Sequence, residues 1–172
     1  MNKLFYFQDK DCNYIVRFLG IKFSIKHKSH FKFIPVKEYG LTTKKRNPQI
    51  IVSLTSFPQR INYVWKAIST ILSQTLKPDK VVLWLADLQF PNKEQDLPQE
   101  LLQLKDFGLE IKWCEDFKSL KKILPSLKEF PNDIIVTADD DLYYEKDWLN
   151  KLYSAYLKDK SNIYCHRIAR LN

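Results

Sequence analysis

Ile134-Ile135-Val136-Thr137-Ala138-Asp139-Asp140-Asp141 is the stretch on which the reading of this chain turns. Its first five residues are apolar or small and mostly β-branched, the pattern of a short strand buried on both faces. Three consecutive carboxylates then repel one another, an arrangement folding does not favour unless a cation sits among them. In open α/β sheets, ligands bind outside the carboxyl ends of the strands, where this cluster falls. A divalent-metal site is the expectation. If extended geometry persists through the triplet, Asp139 and Asp141 point one way and Asp140 the other. The plain alternative is a solvated acidic loop that also caps the next helix. A calcium loop of the EF-hand kind fails, because its sixth position requires glycine and Tyr144 stands there. A phosphatase-type DxDxT fails as well, with Tyr143 in the threonine position.

Working outward, strand-like and helix-like segments alternate. Ile50-Ile51-Val52-Ser53-Leu54-Thr55 reads as a first strand, and Ser56-Phe57-Pro58 turns out of it towards a helix. Ile61, Val64, Trp65, Ile68, Ile71 and Leu72 recur at three- and four-residue spacing, one apolar helical stripe. Residues 81–85 form a second buried strand, residues 99–105 are helix-like, and residues 109–113 alternate like a strand nearer an edge. Residues 118–130 carry Leu120, Ile123, Leu124 and Leu127 at helical spacing, with Pro125 as a kink or break. Residues 148–157 are a last helix, and Ile163-Tyr164-Cys165-His166 can start a further strand, with His166 and Arg167 marking its end. Trp65, Trp84, Trp113 and Trp148 are expected to pack the core. The order β-α-β-α-β-α-β predicts an α/β fold, a mostly parallel sheet with helices on both faces.

Bulk properties narrow the function. With 172 residues and 45% hydrophobic composition, the chain suits one domain with a real core. Only three glycines occur, which excludes a P-loop or a GxGxxG fingerprint. The net charge of +8 lies wholly in residues 1–47, where 11 Lys and Arg face Asp9, Asp11 and Glu38. Lys44-Lys45-Arg46-Asn47-Pro48 reads as a basic linker, so the domains are a basic arm, 1–47, and a neutral body, 48–172. Such an arm suits an anionic partner, lipid headgroups or nucleic acid. From Gly20 onward Ile21, Phe23 and Ile25 alternate with Lys22, Ser24 and Lys26, as in a short strand or interfacial hairpin. Interleaved apolar residues favour peripheral membrane contact through residues 1–47; the neutral body offers no basic groove, and no nucleic acid is expected. Cys12, Cys114 and Cys165 form no CxxC pair and point to a reducing compartment. The expected location is cytoplasmic, with peripheral contact at the inner face of the cytoplasmic membrane.

Three segments together resemble GT-A glycosyltransferases, of the family 2-like bacterial type that builds lipopolysaccharide or capsule. They are Ile51-Val52-Ser53-Leu54-Thr55-Ser56-Phe57-Pro58, the pair Lys121-Lys122, and the stretch from Ile135 through the triple aspartate to Leu142-Tyr143-Tyr144. The resemblance covers about residues 49–170. It implies a Rossmann-like nucleotide-sugar-binding half and a DXD motif with Mn²⁺ or Mg²⁺. A nucleotide diphosphate sugar would be the donor and a surface glycan the acceptor. By the same resemblance Thr55 and Ser56 lie near the nucleotide base, with Arg60 close behind. Asp139 contacts the ribose or donor sugar and shares the metal with Asp141, which ligates the metal that bridges the diphosphate, and Asp140 supports them. Lys121 or Lys122 faces the phosphates. GT-A domains usually continue with acceptor-binding elements and, in inverting enzymes, a carboxylate base; these are expected beyond Asn172. The chain then reads as the donor-binding half of an enzyme, against the alternatives of a non-catalytic basic binding module or an inactive truncated remnant.

Overall fold

The computed structural model describes the backbone of residues 13–18 and 21–26, and residues 36–166 with their side chains. Contacts divide the chain into two compact units, Met1–Phe33 and Ile34–Asn172. In the smaller, β1 (Asn13–Phe18) pairs antiparallel with β2 (Ile21–Lys26), in register from Asn13 against Lys26 to Phe18 against Ile21. None of the described helices is long and apolar enough to cross a membrane.

The larger unit contains β3 (Ile50–Thr55), α1 (Ile61–Leu72), β4 (Lys80–Ala86), α2 (Gln99–Leu102), β5 (Leu109–Cys114), α3 (Leu124–Glu129), β6 (Ile134–Thr137) and α4 (Trp148–Lys158). The four strands pair in the order β5-β4-β3-β6, and all pairs are parallel, so the fold is α/β as the alternation predicted. The chain steps from β3 to β4 to β5 in one direction, then returns across the sheet to place β6 on the other side of β3. Crossovers of one hand that step in opposite directions must lie on opposite faces. Val52, Leu54, Leu83 and Leu85 accordingly share one core cluster with Val64, Ile68 and Ile71 of α1, Leu101 of α2 and Leu149 of α4. Ile51, Val82 and Trp84 pack with Phe130 in a second. Each such fully buried aliphatic side chain contributes about 1.5–3 kcal/mol. On the second face a buried polar relay joins the layers. Trp84 Nε1 donates to Ser126 Oγ of α3 at 2.8 Å, and Ser126 Oγ lies 2.8 Å from Ser53 Oγ of β3.

Several expectations need correction. Among the described residues β6 pairs with β3 alone and is an edge strand; Ile134, Ile135 and Val136 are half-buried and Thr137 is exposed, rather than buried on both faces. Residues 118–130 do not form one helix, and of the two roles expected for Pro125 the structure has the break, not the kink. Pro125 stands in the first turn of α3, after a separate 3₁₀ turn, Lys118–Lys122. Proline has no amide to give a helix interior but suits its first turn. The restart changes which side faces inward: Leu120, Leu124 and Leu127 are exposed, whereas Lys121, Ser126 and Phe130 are buried. Residues 163–166 form no strand; the His166 ring stacks beside Trp148 with centroids 6.3 Å apart. Arg167 lies outside the described residues. Of the tryptophans, Trp84 is in the core, while Trp65, Trp113 and Trp148 pack against it partly buried.

The segment expected as a linker is fastened to the larger unit. Arg46 Nη1 meets Asp79 Oδ2 at 2.7 Å, and the same oxygen accepts the Ile50 N–H at 2.8 Å. Gly40 donates its N–H to Phe107 O at 2.8 Å, in a place where a Cβ would stand 2.8 Å from the Leu72 carbonyl. Just beyond the end of α1, Gln74 donates to Glu145 O at 2.8 Å and accepts the Leu149 N–H at 3.0 Å. These bonds fix the start of α4, and with it the loop that carries the acidic triplet.

Candidate functional site

β3 and β6 are neighbours at the place where the strand order reverses, the chain stepping from β3 away to β4 and β5 and then returning to β6 on the other side of β3, so the sheet's topological switch point lies between them. A cavity of about 360 Å³ opens at their carboxyl ends. Of the residues singled out in the sequence, Thr55, Ser56, Arg60, Lys121, Lys122, Asp139 and Asp140 border it, and Asp141 does not. The last rung between the two strands is the Ala138 N–H to Ser53 O bond, 2.9 Å. Beyond it β6 has ended and Asp140-Asp141 form a turn, so the alternation of an extended strand is lost.

The acids therefore divide differently from the strand expectation. Asp140 and Asp141 converge on one atom: Arg60 Nη1 donates to Asp140 Oδ1 at 2.9 Å and to Asp141 Oδ2 at 2.7 Å. Ser56 Oγ donates to the other Asp140 oxygen at 2.6 Å. Asp140 is the most enclosed carboxylate of this pair, its side chain 9% exposed against 51% for Asp141. Bonding to Asp140 holds the guanidinium above its ordinary pKa, so Arg60 is a permanent cation here. Asp139 turns away and pairs with Lys122. The structure thus brings Asp140, not Asp139, together with Asp141.

The two lysines also part company. Lys121 is buried, 3% exposed, and donates to Asp116 Oδ1 at 2.8 Å. Bonds from Lys121 and Lys118 hold the Asp116 carboxyl well below the usual carboxylate range. Gln89 Nε2 donates to the second Asp116 oxygen at 3.1 Å, which turns its own Oε1 to a buried position without a partner. Lys122 keeps the more accessible ammonium, 27% exposed, at the cavity. Thr55 Oγ1 donates to Trp84 O at 2.7 Å and Ser56 serves Asp140, so both hydroxyls are committed within the protein.

Sequence reasoning missed Asp116, Gln89 and Tyr144. Tyr144 Oη accepts the Asp139 N–H at 2.6 Å, anchoring the turn from below. Burial pushes its phenol up to about 12, so the hydroxyl stays neutral across ordinary pH. The one signal available was the quoted Tyr143-Tyr144 pair, to which no role attached; Asp116 gave none beyond standing five residues before a lysine.

Whether these residues suit a divalent cation follows from the donor set. Among the described residues no group of three His, Cys, Asp or Glu side chains converges. Two carboxylate oxygens do meet at a point held by a cationic nitrogen, and hard cations such as Mg²⁺ commonly take one or two carboxylates with substrate phosphate oxygens. Asp140 and Asp141 would hold the ion, Arg60 would have to give way, and the remaining ligands would come from a phosphate. No protein-family model matches the sequence, and no curated protein is significantly similar to it.

Proposed function

We propose that this cavity binds a nucleotide diphosphate sugar together with Mn²⁺ or Mg²⁺. On this reading the chain is a GT-A-type glycosyltransferase, or its donor-binding half, serving a surface glycan acceptor. The observation that carries the proposal is the meeting of Asp139 and Asp140 with Arg60, Lys121 and Lys122 around one cavity, with Asp141 joined to it through Arg60, at the switch point of a parallel sheet, where such folds bind ligands. Lys122 exchanges Asp139 for a phosphate oxygen, and Arg60 leaves its carboxylates to do the same; a planar guanidinium suits that role. Lys121 and Asp116 hold the 3₁₀ turn that presents Lys122. Asp139, freed from Lys122, can accept from a ribose or sugar hydroxyl. A bound divalent ion would neutralise the departing diphosphate.

Calorimetric titration with UDP and GDP, with and without Mn²⁺, tests this. Metal-dependent binding is expected in the wild type and is lost in Asp141→Ala. Metal-dependent binding of equal strength in that variant overturns the site.

We further propose that the basic N-terminal arm brings the chain to anionic lipid at the inner face of the cytoplasmic membrane. The +8 balance of residues 1–47 and the Lys-spaced apolar residues of the β1–β2 hairpin sequence support this.

A further inference from the structure

We propose that a second cavity, across the Arg60–Asp140 wall from the first, binds one neutral hexose ring of the glycan acceptor; as an acceptor subsite it rests on the donor reading above. This cavity, of about 340 Å³, shares Arg60 and Asp140 with the donor cavity. Asp139 and Lys122 border only the first; Tyr63, Lys66, Asp141 and Tyr143 border only the second. A ligand here would therefore stand next to the diphosphate sugar without entering its pocket.

The lining names the ligand's chemistry. Tyr63 and Tyr143 leave 63% and 50% of their surface exposed, and Leu142 leaves 47%, so the walls are aromatic and apolar. The charged groups balance, Arg60 and Lys66 against Asp140 and Asp141, which gives neither an anion nor a cation a net advantage. A neutral ring with C–H faces and hydroxyls at its rim satisfies both features. Its faces lie against the tyrosines, and its hydroxyls donate to Asp141 and accept from Lys66. Lys66 Nζ stands 5.5 Å from the Tyr63 ring centroid, which brings a donor and an aromatic face to the same wall.

Titration of the full chain with the methyl glycosides of glucose, galactose, N-acetylglucosamine and rhamnose, followed by saturation-transfer NMR, tests the subsite. At least one glycoside is expected to bind, and Tyr63→Ala and Tyr143→Ala each to weaken it about tenfold, the scale of a lost aromatic contact. Both positions are exposed, and unchanged urea unfolding will verify that the variants fold. In the same variants Mn²⁺-dependent UDP and GDP binding is expected to match the wild type. The proposal is overturned by the absence of binding for all four glycosides, by binding that both substitutions leave intact, or by loss of nucleotide binding in the tyrosine variants, which would give the cavity to the base. Glycoside binding that survives while the wild type binds no nucleotide removes the donor reading and leaves a saccharide site.

Discussion

Asp116 illustrates how one unremarked carboxylate can organise a site. It takes bonds from Lys121, from Lys118 and from Gln89, and the buried ammonium of Lys121 on the cavity wall depends on it. Its pKa is lowered in the folded chain, so the stability it supplies is fully present above the unfolded carboxylate value, about 3.9, and is lost as pH falls through the folded one. Asp116→Asn is expected to be less stable than the wild type at neutral pH. Their urea midpoints should converge as pH drops below about 4; a gap that stays constant to acid pH would contradict the pairing. The residue types of the site were legible in the sequence, because three acids after an apolar strand and two lysines are conspicuous. Their partners were not. Ser56 and Arg60 lie 84 and 80 positions from Asp140, and no local pattern encodes a contact at that separation.

At the scale of elements, the relay from Trp84 through Ser126 to Ser53 is what α3 contributes to the sheet beyond apolar contact. Ser126→Ala removes a hydroxyl that two buried groups use, and each group left unsatisfied costs about 1–3 kcal/mol. The variant should therefore show a lower urea midpoint by about that amount, while Leu127→Ala, at an exposed position, should change it little. Helical spacing of Leu120, Ile123, Leu124 and Leu127 led to the opposite assignment. A stripe reveals the inward face only if one helix carries it, and Pro125 divides this one between a 3₁₀ turn and a new start. The central strands were read correctly because β3 and β4 are apolar on both faces. β6 shares that composition, yet among the described residues it sits at an edge. Composition reports what a strand could bury; neighbours decide what it does.

For the whole molecule, the charge excess of residues 1–47 is the feature with the longest reach. Replacing Lys22, Lys26 and Lys28 by serine should weaken sedimentation with phosphatidylglycerol vesicles by roughly a hundredfold, at about 1 kcal/mol per lysine, and raised salt should mimic it. Binding unaffected by either change would rule out the arm as a lipid contact. The larger unit has its own graded character. Amides of β4 are locked between two strands, whereas β6 is secured along one side among the described residues, and the acidic triplet hangs from its end. In the currency of isotope exchange such a sheet keeps more than one clock: its middle opens last, its rim first. The acidic triplet is mounted on the fast hand. On the proposed donor reading, the three acids would trade partners around an incoming ligand while the β3–β4 centre stays shut.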